Sequence, residues 1–208
     1  TLDILRQGLE HTGRVVLLCP SFNQALQAQK SLSKQGICLG VDCTTASAWV
    51  EERWEVWGDG RHLIDSMKRR FFARRVLQHH SEGEPLAGMV NLLADFAAAN
   101  IAWLQPDKTT SQLTQAEKDF VGLVKEYREL IHKAKLIEET EAMVALPTLL
   151  AQHEGAMPVF VVTGMMSMTR ALRKLLCDLA ELSSVNCIMY ESKSPACDVS
   201  RQLIAQLQ

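Results

Sequence analysis

The pattern of hydrophobic and polar positions divides the chain into three stretches, and the first is α/β in character. Residues 1–62 contain short apolar runs at 14–19 and 39–44, which predict buried strands. Apolar residues at helical spacing predict helices at 1–10, 24–35 and 48–56. Strands that alternate with helices are typical of a parallel sheet, so we predict that this stretch is the first part of an α/β core.

The middle stretch, residues 63–150, carries a different pattern. Apolar residues recur at helical spacing over 63–80, 87–104 and 114–139, and polar segments at 82–85 and 105–111 separate these runs. No convincing strand pattern occurs between them. We therefore predict an all-helical subdomain inserted into the α/β core.

The α/β pattern returns in the last stretch, residues 151–208. Strands are predicted at 158–163 and 185–191, and helices at 168–182 and from 198 onward. The predicted organisation is thus an α/β core in two parts, 1–62 and 151–208, interrupted by a helical insertion at 63–150. Because the sequence starts at Thr1 and ends within a predicted helix, we expect it to be a fragment of a longer protein.

Composition narrows the class of protein. Hydrophobic residues make up 47% and charged residues 22%, as in an ordinary globular domain, and a net charge of -2 means that any nucleic-acid surface has to be local. The apolar runs are too short to cross a membrane, and the six cysteines form no C-x-x-C pair. We expect a cytoplasmic protein with reduced thiols, no membrane contact, and neither a metal nor another cofactor.

Three segments place polar turn residues directly after a predicted strand. Their sequences are VVLLCPSFNQALQAQKSL at 15–32, VDCTTASAWVEERW at 41–54 and VFVVTGMMSMTRALRKLL at 159–176. In this order, with a helical insertion before the third, they resemble the first core domain of superfamily 1 helicases of the UvrD/RecB type. The resemblance is sharpest to the N-terminal helicase-like domain of AddB-type and related RecB-family exonuclease subunits.

The resemblance implies both a fold and a set of DNA contacts. The implied fold is a P-loop-NTPase-like parallel sheet with helices on both faces, a three-layer α/β/α arrangement. The polar turns would touch single-stranded DNA, and an aromatic ring would stack on its bases. Helix capping by the polar residues and core packing by the rings stay open as alternatives. The implied contacts are Ser21, Asn23, Thr44, Thr45, Ser47 and Trp49, with Phe22 as a second stacking ring.

The catalytic residues of that helicase family are missing from the sequence. No G-x-x-x-x-G-K-[ST] phosphate loop occurs, and Thr163 and Gly164 stand where the helicases carry Asp-Glu. Without these groups the chain lacks a cradle for phosphates and an acid for Mg²⁺ or the attacking water. We therefore expect a non-catalytic module of a DNA repair or recombination nuclease that contacts single-stranded DNA and the other domains or subunits of a helicase–nuclease complex.

Two other functions stay open on the sequence alone. One is a nucleotide-binding, ATPase-like domain with an atypical phosphate loop at residues 20–24, because a helix N-terminus is a natural anion site. The other is a protein-interaction scaffold without a ligand.

The densest basic segment is MKRRFFARRV at residues 67–76. Arg69, Arg70 and Arg74 are candidate phosphate contacts, and Phe71 and Phe72 are interleaved with them as candidate stacking rings. The alternative is a solvated arginine face above phenylalanines that belong to the core.

Two further charged groups are expected to have no special role. His79 and His80 are adjacent and are expected to point apart on a helix, which argues against a metal site. The acidic stretch at residues 138–141 is expected to be a solvated helix face.

Overall fold

The computed structural model describes residues 2–37, 39–103, 114–153 and 155–188. Its strands are β1 (Val15–Cys19), β2 (Val41–Thr45), β3 (His62–Leu63), β4 (Leu136–Ile137), β5 (Val159–Thr163) and β6 (Val185–Ile188). Its helices are α1 (Leu2–Thr12), α2 (Phe22–Lys34), α3 (Ala46–Trp57), α4 (Ser66–His79), α5 (Ala87–Asn100), α6 (Gln115–Lys133), α7 (Glu139–His153) and α8 (Arg170–Leu182), with a short 3₁₀ turn at Ile101–Trp103.

The chain forms two compact units. The α/β unit consists of Thr1–Arg53 together with Ala145–Gln208, and the helical unit is Trp54–Val144. The segment bounds predicted from the sequence, 1–62, 63–150 and 151–208, stay a prediction. The helix predicted from residue 198 onward, and the end of the strand predicted at 185–191, lie outside the described residues.

A four-stranded parallel sheet in the order β2-β1-β5-β6 forms the centre of the α/β unit. Val15 of β1 is paired with Val41 of β2 on one side and with Val159 of β5 on the other. Every residue of β1 is buried, as are the first four residues of β5. Continuous apolar runs of this kind are typical of central parallel strands, and the predicted α/β class is confirmed.

The two faces of β1 contribute to different parts of the core. Val15, Leu17 and Cys19 alternate along the strand and pack in one cluster with Leu5 of α1 and Ala25 of α2. Alternate residues of a strand point to opposite faces, so this cluster lies on one face of the sheet. The packing on that face holds the first turn of α2 next to the end of β1.

The strand order places a reversal between β1 and β5. From β1 the chain proceeds to β2 at one edge, and it later returns to β5 on the other side of β1. In open parallel sheets such a reversal leaves a crevice between the carboxyl ends of the two strands, and ligands bind there. A ligand site in the α/β unit is therefore expected at the carboxyl ends of β1 and β5.

The helical unit is not entirely helical, which corrects the sequence-based prediction. His62 pairs with Leu136 and Leu63 pairs with Ile137 in a two-stranded parallel ladder. Strands of two residues are too short to leave a period in the sequence, and their partners are remote along the chain. The ladder continues through a hydrogen bond from the Ile64 N–H to the Ile137 carbonyl, 3.0 Å long.

The helix predicted at 114–139 is also too long. It begins after Thr114, whose side chain forms a reciprocal capping box with Glu117, but it ends at Lys133. Lys135 then adopts a φ of 56°, a left-handed conformation that is uncommon outside glycine. The chain turns there into β4, and a separate helix, α7, follows with Pro147 in its interior.

Candidate nucleic-acid interface

Three helices follow parallel strands at the carboxyl edge of the sheet. β1 is followed by α2, β2 by α3 and, after a short loop, β5 by α8. Each helix has a hydroxyl cap: the backbone N–H groups of Gln24, Ala48 and Leu172 donate hydrogen bonds of 3.4, 3.2 and 3.2 Å. The accepting oxygens belong to Ser21, Thr45 and Thr169. The positive ends of three helix dipoles therefore lie along one edge.

This edge also brings together five of the residues that the sequence singled out. Ser21 and Asn23, which follow β1, are exposed, and so is Ser47 in the first turn of α3. Thr44 and Thr45, which end β2, are half-buried. The capping role considered for Ser21 and Thr45 is present, and it leaves their DNA contacts a prediction. The five residues are Ser21, Asn23, Thr44, Thr45 and Ser47.

An exposed aromatic ring lies between the first two of these polar residues. Phe22, the first residue of α2, is 73% exposed, although phenylalanine is usually buried. Next to it, the loop after β5 approaches the loop after β1, because a Cβ added to Gly164 would lie 3.6 Å from the ring of Pro20. Phe22 and this loop, which also exposes Met166, therefore lie next to the carboxyl ends of β1 and β5.

Trp49 is not at this surface, which corrects its role as a stacking platform. Its side chain is 1% exposed and packs edge-to-face on Phe160 of β5, with ring centroids 5.1 Å apart. A ring enclosed in this way has no free face for a base. Phe22 remains as the exposed aromatic group at the carboxyl edge.

The three arginines predicted to contact phosphate lie on α4 of the helical unit, and one of them is engaged inside the protein. Arg69 forms a bidentate ion pair with Glu138, with Nε 3.0 Å from Oε1 and Nη2 2.7 Å from Oε2. Arg70 and Arg74 are exposed, and Arg74 forms an ion pair with Glu84. The structure thus leaves Arg70 and Arg74 on the surface and makes Arg69 an internal partner.

The acidic stretch at 138–141 is not a solvated helix face, because two of its carboxylates are buried. Glu138 is 0% exposed, and its Oε1 accepts a hydrogen bond of 2.6 Å from the Tyr127 hydroxyl. Burial, together with the charge of Glu138, raises the pKa of Tyr127, so the phenol remains a neutral donor. A buried carboxylate needs such partners, and here Arg69 and Tyr127 provide them.

A second buried carboxylate anchors a chain of charged groups. Glu141 accepts a hydrogen bond of 2.7 Å from Arg128 Nε, and its other oxygen is 3.1 Å from His132 Nε2. The same His132 nitrogen is 2.9 Å from Arg61, which forms an ion pair of 2.6 Å with Asp59. These contacts connect the loop before β3 to α6 and α7, and we assign them a structural role.

His79 and His80 converge on one carboxylate, which corrects the expectation that they point apart. His79 Nδ1 is 3.0 Å from Oε1 of Glu126, and His80 Nε2 is 2.7 Å from Oε2. The convergence is possible because α4 ends at His79, so that His80 is a cap residue outside the helix. Hydrogen bonds from His80 and His79 lower the pKa of Glu126. In the described part of the chain, no group of three or more His, Cys, Asp or Glu side chains is arranged to hold a metal ion.

The buried acids leave no signal in the sequence, for a physical reason. Glu138 and its partner Arg69 are 69 residues apart, so no local spacing connects them. Phe22, in contrast, lies in the turn after a predicted strand, where the resemblance implied a stacking ring.

No family model matches the chain, and no curated protein matches it. Within the residues that the structure describes, none of the helices combines the length and apolar character needed to cross a membrane.

Proposed function

We propose that this chain is a non-catalytic, helicase-like module of a DNA-processing protein, and that its α/β unit holds single-stranded DNA along the carboxyl edge of the sheet. The observation that carries the proposal is the exposed ring of Phe22 between Ser21 and Asn23, at the reversal of strand order. Proteins that hold a single strand without reading its sequence stack its bases on exposed aromatic rings, next to groups that contact the backbone.

The charge of the edge supports an anionic ligand. Residues 20–24, 44–48 and 163–169, which form its three loops, contain no acidic side chain. They contain seven hydroxyl groups and two side-chain amides, and they lead into the N-termini of α2, α3 and α8, all of which commonly contact phosphate oxygens. A phosphate backbone would meet hydrogen-bond donors there and no repelling carboxylate.

The backbone after β5 supports the absence of catalysis. Where the resemblance would require Asp-Glu, the chain has Thr163 and Gly164, and Gly164 adopts a φ of 72°. An L-residue in that conformation costs roughly 1–2 kcal/mol. The backbone at residue 164 therefore favours glycine, and a glutamate at this position would be strained.

The parallel order β2-β1-β5-β6 fits the proposed P-loop-NTPase-like core. A parallel sheet alone is common to many functions, so the proposal rests on the edge residues and on the motif resemblance.

The proposal is tested by binding of fluorescently labelled oligo-dT, measured by anisotropy over a range of salt concentrations. Phe22→Ala should weaken binding by about 1–3 kcal/mol, the usual loss when a stacked base loses its aromatic partner. Leu39→Ala is the matched control, because Leu39 is 87% exposed and lies just before β2, at the opposite edge of the sheet.

Three results would contradict the proposal: no binding of oligo-dT, equal binding by the wild type and Phe22→Ala, or equal losses in both variants.

The same assay tests separately whether Arg70 and Arg74 contact the DNA. If either arginine touches a phosphate of the strand, its replacement by alanine should reduce the log–log salt slope by roughly 0.7. Such a loss without an effect of Phe22→Ala would move the strand to α4 and overturn the assignment to the sheet edge.

A further inference from the structure

The helical unit contains a second surface feature, a groove between α4 and the start of α5. It encloses about 550 Å³, with Arg70, Phe71 and Arg74 along the α4 side. Glu84, Pro85, Ala87, Val90 and Asn91 line the other side. Two arginines thus lie on the α4 side, and the single carboxylate of the lining, Glu84, is paired with one of them, Arg74.

Next to the groove, α5 and the residue before it also expose apolar side chains. Among its fourteen residues, AGMVNLLADFAAAN, the only charged one is Asp95. Helices that are apolar all round are normally buried on all sides. Val90 and Leu93 do face the core of the unit, but Leu92 is half-exposed, and Leu86, just before the helix, is 76% exposed.

The start of α5 also lacks a capping side chain. Leu86 is its N-cap residue, and it offers no side-chain oxygen to the first N–H groups of the helix. A polar N-cap is typically worth about 1 kcal/mol. Ala87, the first residue of α5, lines the groove, so a carboxylate bound there would supply the missing acceptor.

The charges on the α4 rim are not balanced from within. Arg70 forms no ion pair with any carboxylate in the described residues, while Arg74 pairs with the exposed Glu84. Arg75 lies outside the groove, in a neighbouring depression that Phe71 and Arg74 also line, and it too has no carboxylate partner among the described residues. Phe71 is 58% exposed between these guanidinium groups. The rim is therefore complementary to a negatively charged partner.

We propose that this groove binds an acidic amphipathic helical segment of a partner protein. Its apolar side chains would cover Phe71, Pro85 and Val90, and its carboxylates would meet Arg70, Arg75 and the open N-terminus of α5. The aliphatic lining of Pro85, Ala87 and Val90 favours a protein over a nucleic acid, because an amphipathic helix places its apolar side chains in a groove of this kind. The proposal concerns the helical unit and does not depend on DNA binding by the α/β unit.

The test begins with selection of peptides from a random displayed library on the wild-type chain, followed by affinity measurement on the synthetic peptides. We expect the selected peptides to combine acidic residues with apolar residues at helical spacing. Arg70→Glu and Phe71→Ser should each weaken their binding by about tenfold or more, which corresponds to roughly 1.4 kcal/mol. A peptide whose acidic residues are replaced by lysine should bind Arg70→Glu better than it binds the wild type.

Lys30→Glu and Leu39→Ser are the matched controls, since they make similar changes at exposed positions in the α/β unit. Circular dichroism and the urea midpoint verify that each variant is folded. The proposal is overturned if selection yields no peptide that prefers the wild type over the groove variants, or if the selected peptides lack acidic residues. It is also overturned if Arg70→Glu and Phe71→Ser abolish oligo-dT binding and leave peptide binding unchanged, because the face would then be a nucleic-acid contact.

Discussion

At the scale of single residues, the most demanding environment belongs to Glu138. Its carboxylate is fully buried and is held by Arg69 and by the Tyr127 hydroxyl. Transfer of a charge out of water is costly, and it is tolerated only when good partners replace the solvent. Each of the three side chains therefore depends on the other two, and a change in one leaves the others without compensation.

Replacement of Glu138 by leucine should lower the free energy of unfolding by about 3–5 kcal/mol, because it leaves the Arg69 charge largely buried and unpaired. Urea-induced unfolding measures the loss. The double variant Arg69→Met/Glu138→Leu should be less destabilised than Glu138→Leu alone, since it removes both charges. Asp178→Asn, which breaks the exposed pair with Lys174, is the control and should cost less than about 1 kcal/mol. Equal losses in the single and double variants would show that the charge of Arg69 is not the cause.

At the scale of secondary-structure elements, the sequence predicted what depends on neighbours along the chain. The runs that form β1 and β5 and the caps at Ser21 and Thr45 are local, and each appears where the pattern placed it. The ladder of β3 with β4 depends on pairing between remote residues, and no period marks it. The turn at Lys135 occurs without glycine or proline, so the helical pattern continued past the true end of α6.

The candidate site divides in the same way. The polar turns after β1 and β2 were found from the sequence because a turn after a strand is a local signal. The burial of Trp49 and the ion pair of Arg69 with Glu138 are tertiary contacts, which no local pattern predicts. The sequence therefore identified the edge but could not decide which aromatic and cationic side chains remain on the surface.

The junction of α4 and α6 should contribute stability that depends on pH. Hydrogen bonds from His80 and His79 hold the pKa of Glu126 below its usual value, so the folded state favours the ionised carboxylate. That contribution is present above the unfolded-state pKa of about 4.3 and is lost as the pH falls through the lower, folded-state pKa. Because these side chains are partly exposed, Glu126→Gln should cost less than about 1 kcal/mol at neutral pH, and the cost should be smaller at acidic pH.

Unfolding free energies measured by urea titration at both pH values check this dependence. Glu129→Gln removes the same charge from an exposed position on the same helix and should show little change at either pH. A loss from Glu126→Gln that is the same at neutral and acidic pH would mean that packing, and not the ionised carboxylate, connects the two helices.

At the scale of the whole chain, two separate features argue against nucleotide chemistry. One is the sequence, which contains no phosphate-binding loop of the Walker type anywhere in its 208 residues. The other is the end of β5, where Thr163 and Gly164 offer no carboxylate and where the left-handed φ of Gly164 disfavours any other residue. The alternative of an atypical phosphate loop at residues 20–24 rests on a single helix N-terminus, that of α2, and these five residues include no lysine.

We therefore expect calorimetric titration with ATP and Mg²⁺ to show no saturable binding, with any dissociation constant weaker than about 1 mM, or about 4 kcal/mol of binding free energy. The physical reason is that a single helix N-terminus carries about half a charge and cannot replace the lysine, the metal ligand and the several backbone donors of a phosphate loop. Micromolar binding would contradict this expectation. If that binding were also lost in a variant with Ser21 and Asn23 both replaced by alanine, the nucleotide would lie at the end of β1, and the chain would be a nucleotide-binding domain instead of a passive helicase-like module.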